Sequence, residues 1–129
     1  MTPRLVLLYT RDSNFDRLLT EALVGTGVIV LVARSVADAL QIVCRRGREL
    51  DLVVMDFNDG CRGMTLLSAI HTCYQTLPTL VITAKDLEHA NGVAYANGAR
   101  ACLSKPLPAV RLANAIADLY PAHAQLAVA

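Results

Sequence analysis

Five short apolar runs, each followed by a segment with helical spacing, constrain this chain more than any other feature. The runs are "RLVLLY" (4–9), "VIVLVA" (28–33), "DLVVMD" (51–56), "TLVIT" (79–83) and "ACLS" (101–104). They are nearly continuous in apolar residues and lack the alternation of a strand with one wet face. Strands that read this way are buried on both sides, as in a parallel sheet covered by helices. Between them, Phe15, Leu18, Leu19, Ala22 and Leu23 share one helical face behind Ser13 or Asn14 as N-cap. Ser35 and Asp38 stand at capping-box spacing ahead of Val36, Leu40, Val43 and Cys44, which are expected to point inward. A third helix is predicted over 64–74. Asp86 is expected to cap a fourth, which Gly98 closes, and a fifth runs over 110–120 before Pro121. The alternation predicts one α/β domain over 1–121, with 122–129 as a loose alanine-rich tail.

Composition narrows the function classes. With 129 residues, 54% hydrophobic and 18% charged, the chain can bury a core and is not a disordered segment. A net charge of +1 provides no electrostatic footprint for nucleic acid or an anionic membrane. The basic residues are scattered, and the "RRGR" run at 45–48 reads as the solvated end of a helix. Cys44, Cys73 and Cys102 lie in apolar patterns and are expected in the core. Cys61 falls in a loop, as an ordinary loop residue or a reactive thiol. There is no CxxC pair, and His71, His89 and His123 are not grouped. The apolar run at the N-terminus is short for a signal peptide and no membrane-length stretch follows, so a cytoplasmic location is expected.

In an open parallel sheet, sites form beyond the carboxyl ends of the strands. Those positions hold Thr10, Arg11 and Asp12, then Asp56, Asn58 and Asp59, then Thr83 and Lys85, then Lys105-Pro106. Taken singly, such residues are common at loop starts. Together, a carboxylate, a hydroxyl and an ammonium from three strand ends suit phosphoryl chemistry. The carboxylate would act as nucleophile, and the other two would bind phosphoryl oxygens.

"DLVVMD", "LVITA" and "NGARACLSKPL", in this order and spacing on five βα repeats, resemble the receiver domain of two-component response regulators (the CheY-like family) over almost the whole chain. The resemblance implies a doubly wound, flavodoxin-like (βα)5 fold with strand order 2-1-3-4-5. It implies Asp56 as phosphoacceptor, Thr83 as switch hydroxyl, Lys105 as phosphate-binding residue and a cis Lys105–Pro106 peptide. A signalling module rather than a metabolic enzyme follows. Its partners would be a histidine kinase or phosphotransfer protein and a downstream output protein or domain.

The sequence departs from that pattern at strand one, where receivers carry the acidic pair that holds magnesium. Aligning the first helix puts Thr10 and Arg11 there. Arg11 cannot coordinate a metal and is expected to pair with Asp56. The donors left for a weakened or absent magnesium site are Asp12, Asp56 and the Asn58 carbonyl, with Asp59 as a nearby substitute carboxylate. Cys102 occupies the position of the family's swinging aromatic and is too small to report a movement of Thr83 in the usual way. The loop "DFNDGCRGM" lacks the usual Met-Pro and brings Gly63 in early, and Lys85 adds charge near the pocket. Asn91-Gly92 weakens the fourth helix.

Three functions compete on this reading. The first is an atypical receiver phosphorylated on Asp56. The second is a degenerate receiver acting by protein contacts alone. The third is a flavodoxin-like nucleotide or flavin binder, for which "YTRDSNF" lacks the phosphate-loop glycine. A hydrolase would need a GxSxG elbow, which is absent. With no DNA-binding segment after Tyr120, output is expected through partners, from a stand-alone receiver or a piece of a longer regulator. The resemblance also implies a homodimer through the fourth helix, fifth strand and fifth helix, a face that would include Ala90, Tyr95, Cys102 and Arg111.

Overall fold

In a computed structural model of the 129-residue chain, residues 3–57, 62–84 and 88–120 are described. Five strands alternate with five helices: β1 (Leu5–Tyr9), α1 (Ser13–Ala22), β2 (Ile29–Ala33), α2 (Val36–Arg46), β3 (Leu52–Phe57), α3 (Arg62–Cys73), β4 (Thr79–Thr83), α4 (Glu88–Ala96), β5 (Ala101–Ser104) and α5 (Ala109–Leu119). A single 3-10 turn, Gly47–Glu49, separates α2 from β3. All four strand pairings are parallel, and the order is β2-β1-β3-β4-β5. This is the doubly wound, flavodoxin-like arrangement that the resemblance implied.

Why the strands read as continuous apolar runs follows from the two layers. In β1, Leu5, Leu7 and Tyr9 pack with Ala39 and Val43 of α2, Leu66, Leu67 and Ile70 of α3, and Ala94 of α4. The alternate residues Val6 and Leu8 pack with Phe15 and Leu19 of α1 and Leu112 and Ile116 of α5. Successive side chains point to opposite faces, and both faces are covered. Cutting a fully buried leucine such as Leu7 or Leu19 to alanine would cost about 2–5 kcal/mol.

The edges temper that pattern. β2 has one neighbour only, and its Ile29 and Val32 are 48% and 37% exposed, although the sequence reads as a strand buried on both faces. The expectation of three core cysteines also needs correction. Cys44 and Cys73 are exposed on the outer faces of α2 and α3, and Cys102 on the edge strand β5 is half-buried. Small apolar residues at helical spacing do not reveal which stripe the sheet will cover.

Helix ends follow their local chemistry. Ser35 Oγ accepts from the Asp38 amide at 3.1 Å, as its spacing suggested. The N-cap of α1, however, is Asp12 rather than Ser13 or Asn14, its Oδ1 accepting from the Asn14 amide at 2.9 Å. Behind α4, Gly98 has φ +109° and donates to the Tyr95 carbonyl at 3.1 Å, a turn that lacks room for a Cβ beside the His71 ring. The basic run at the end of α2 is solvated, and Arg46 pairs with Glu49 at 2.6 Å. At the amino end of the sheet, Asp51 Oδ2 accepts from the Leu5 amide at 2.8 Å and stitches the start of β1 to the chain entering β3. Expectations on Cys61, Lys85, Asp86, His123 and the tail 122–129 lie outside the described residues, as do those on the side chains of His89 and Ala90.

Candidate functional site

The alternation that fills the core also delivers one carboxylate to the end of the sheet. Asp56 follows Val54 on the face covered by α1 and α5, is 2% exposed, and stands in register with Ile82 of β4. One residue beyond the end of β1, Thr10 continues the side of Val6 and Leu8 and is fully buried. Its hydroxyl donates to Asp56 Oδ2 at 2.6 Å. From beyond β5, Lys105 places Nζ 3.0 Å from Asp56 Oδ1 and 3.6 Å from Asp12 Oδ2. The Lys105–Pro106 peptide is cis, as expected.

Burying a carboxylate costs several kcal/mol unless its charge is compensated. An ammonium at 3.0 Å supplies on the order of 5 kcal/mol of attraction at an effective dielectric of about 20. The short hydroxyl contact adds a charge-assisted hydrogen bond. Lys105 is itself held by Asp12 and lies 5.1 Å over the Phe15 ring, so its ammonium is directed into the pocket.

The predicted residues divide into those that converge and those that do not. Asp56, Lys105, Thr10 and Asp12 come together. Thr83 is buried one strand away, in register with Phe57 and Ser104, and its hydroxyl donates to the Leu103 carbonyl at 3.2 Å. The expected Arg11–Asp56 pair is not formed among the described residues. Arg11 is exposed, because the turn into α1 aims its side chain outward while Thr10 points in. Cys102 packs at the margin of the core. Burial pushes its thiol above the ordinary value, and a hydrogen bond with Tyr95 pulls partly the other way. Asn58, Asp59 and Lys85 lie outside the described residues.

Two contributors were not legible beforehand. Arg34, just after β2, donates from Nη1 to the Thr10 carbonyl at 3.4 Å and pairs through Nη2 with Asp16 at 2.6 Å. Phe15 reads as plain core yet also supports Lys105. An arginine following a strand is too common to single out, and the ring's second role depends on where β5 ends.

These residues give a poor magnesium site. Among the described residues, no three His, Cys, Asp or Glu side chains gather to hold a metal. Both Asp56 oxygens already face donors, Asp12 caps α1 and faces Lys105, and Thr10 offers only a neutral hydroxyl. Magnesium demands a near-octahedral set of oxygens, and this donor set does not fit it.

A family model for the response regulator receiver domain matches residues 6–117. Among solved structures, a response regulator receiver domain protein from Clostridium thermocellum is 23% identical. It superposes with TM-score 0.83, covering 95% of this chain and 98% of that one. A response regulator from Thermotoga maritima is 19% identical, with TM-score 0.83 and coverage of 92% and 98%. A CheY-like receiver domain protein from Methanospirillum hungatei is 18% identical, with TM-score 0.79 and coverage of 91% and 93%. No curated protein matches at a significant level. The solved structures share the fold, and the family match decides the class: this chain belongs to the response regulator receiver domain family. It is a receiver domain of two-component signalling, a signalling module by class. Receiver domains typically bind magnesium and work between histidine kinases and output domains. Among the described residues no helix is long and apolar enough to cross a membrane.

Proposed function

We propose that Asp56 is the phosphoacceptor of this receiver, taking its phosphoryl group from a histidine kinase or phosphotransfer protein. The observation that carries this reading is the buried Asp56 carboxylate with the Lys105 ammonium 3.0 Å from Oδ1. An Asp56 oxygen attacks phosphorus as the P–N bond to the donor imidazole breaks, and the imidazole leaves with the bonding pair and picks up a proton. Lys105 then holds a phosphoryl oxygen. Thr83, one strand away, is the hydroxyl that exchanges the Leu103 carbonyl for that phosphoryl group. The face of α4, β5 and α5 carries the output. Tyr95 there is 51% exposed, Arg111 is exposed, and Cys102 is half-buried. A homodimer or an output partner would bind on this face. Incubating the protein with acetyl phosphate or a phosphorylated kinase and weighing it intact tests the reading. The expected result is one added phosphoryl group, absent in Asp56→Ala.

One observation favours a second reading, in which the domain signals by protein contacts without phosphorylation. The Thr10 hydroxyl already engages Asp56 Oδ2, one of the two oxygens available to attack. An unchanged mass under every donor condition would select this reading.

A further inference from the structure

Every polar atom of Thr10 is engaged. Its amide donates to the Ala33 carbonyl at 3.1 Å, and its own carbonyl accepts from Arg34 Nη1 at 3.4 Å. Its hydroxyl oxygen accepts from the Asp12 amide at 3.0 Å. The single hydroxyl proton has two acceptors in reach, Asp56 Oδ2 at 2.6 Å and the Asp12 carbonyl at 3.4 Å. The shorter contact to the ionised acceptor takes it. The Asp12 amide occupies one lone pair and so directs the proton toward Asp56, a local side-chain turn carrying out a long-range task. The Arg34–Asp16 pair fastens the same corner to α1.

A divalent ion bound to Asp56 would have to share Oδ2 with this hydroxyl or Oδ1 with Lys105, each of which already faces a donor. Either arrangement crowds a donor already in place and sets two further positive charges beside the ammonium. Both oxygens of Asp12 are also engaged, since Oδ1 caps α1 and Oδ2 faces Lys105. The residue between Thr10 and Asp12 is the cationic Arg11.

We infer that Thr10 is a positioning residue that, together with Lys105, takes the place of a divalent cation at Asp56. It orients the carboxylate and leaves the pocket without affinity for magnesium. The inference concerns binding to the resting site and holds whether or not Asp56 accepts a phosphoryl group.

Titrating the intact chain with magnesium, with amide shifts of Tyr9, Thr10, Met55, Asp56 and Phe57 as readout, tests it. Line broadening by manganese at the same amides is a parallel measure. The wild type is expected to show no saturable response at millimolar ion, and Thr10→Ser to behave likewise. The double variant Thr10→Asp/Arg11→Asp is expected to gain a saturable response that adding Asp56→Asn removes. Saturable binding by the wild type that Asp56→Asn abolishes would overturn the inference. So would a folded double variant that gains nothing, because Thr10 would then not be what excludes the ion. If the double variant does not fold, the wild-type and Asp56→Asn titrations decide by themselves.

Discussion

Thr10 and Asp56 lie 46 positions apart in sequence, and a 2.6 Å hydrogen bond between their side chains closes the carboxyl end of the sheet. The bond links two adjacent strands, β1 and β3, at the point where both leave the core. It sets the orientation of the one buried carboxylate among the described residues.

Removing that donor leaves a buried carboxylate oxygen short of a partner. Thr10→Val keeps the shape and is expected to destabilise the fold by about 1–3 kcal/mol. Thr10→Ser should recover most of the loss. Urea unfolding of both variants, repeated in an Asp56→Asn background, measures the coupling. The cost of Thr10→Val should shrink once the charge is gone.

Lys105→Met removes the cation from the other oxygen. Lys105 is 25% exposed, so solvent recovers part of the lost interaction, and a cost of about 2–3 kcal/mol is expected. Asp56→Asn added to Lys105→Met should restore stability toward the wild type, because no uncompensated charge remains. A restoration that fails to appear in denaturant midpoints would show that Lys105 acts through packing on Phe15 instead.

The cysteines should react in a definite order. A thiolate is the nucleophile, and burial raises the Cys102 pKa, so at mildly alkaline pH a smaller fraction of it is ionised. Cys44 and Cys73 are exposed. Peptide mapping after brief iodoacetamide treatment should find both alkylated well before Cys102, with the gap narrowing as pH rises.

Tyr120 supplies a stability change at high pH. Burial pushes its phenol above the ordinary value, and Arg4, stacked 3.9 Å from the ring centroid, opposes only part of that rise. A phenol with a raised folded-state pKa holds its proton more tightly in the native state. Its contribution is therefore complete below about pH 10 and is lost as pH climbs through the folded-state value. The stability difference between wild type and Tyr120→Phe should shift against the wild type above that point, as read by urea midpoints across the range.

Gly98→Ala should be costly for two separate reasons. The residue sits at φ +109°, and a Cβ there would meet the His71 ring. A loss of at least about 1–2 kcal/mol is expected in thermal or urea unfolding. Gly92→Ala within α4, the helix that Gly98 follows, should be neutral or stabilising, because a Cβ there meets open space.

How much of this was legible can be judged residue by residue. The runs around Leu7, Val54 and Val81 announced strands covered on both sides, because helices cover both faces of the inner strands of a parallel sheet. Ser35 announced its helix, since a cap is local chemistry over three residues. The motifs around Asp56, Thr83 and Lys105 announced the family, and the family implied the strand order. Cys44 misled because its apolar spacing was right while the covered stripe lay one residue aside, at Val43. Ile29 and Val32 misled because being an edge strand is a property of the sheet, not of the strand.

The order of residues along the chain settles the alternation of elements, the class, and a carboxylate at the end of the third strand. The alternation and the carboxylate follow from periodicity and short-range spacing, which each segment carries alone, whereas the class follows from the resemblance of three motifs in register to a known family. The tertiary structure decided which residues meet that carboxylate. Arg11 is the charged neighbour that the sequence suggests for Asp56, yet the turn into α1 sends it to solvent and turns Thr10 inward. A one-residue difference in phase reverses the side of a chain. That phase was fixed by the Asp12 cap, the Ala33 and Arg34 contacts of Thr10, and the register of β1 against β3.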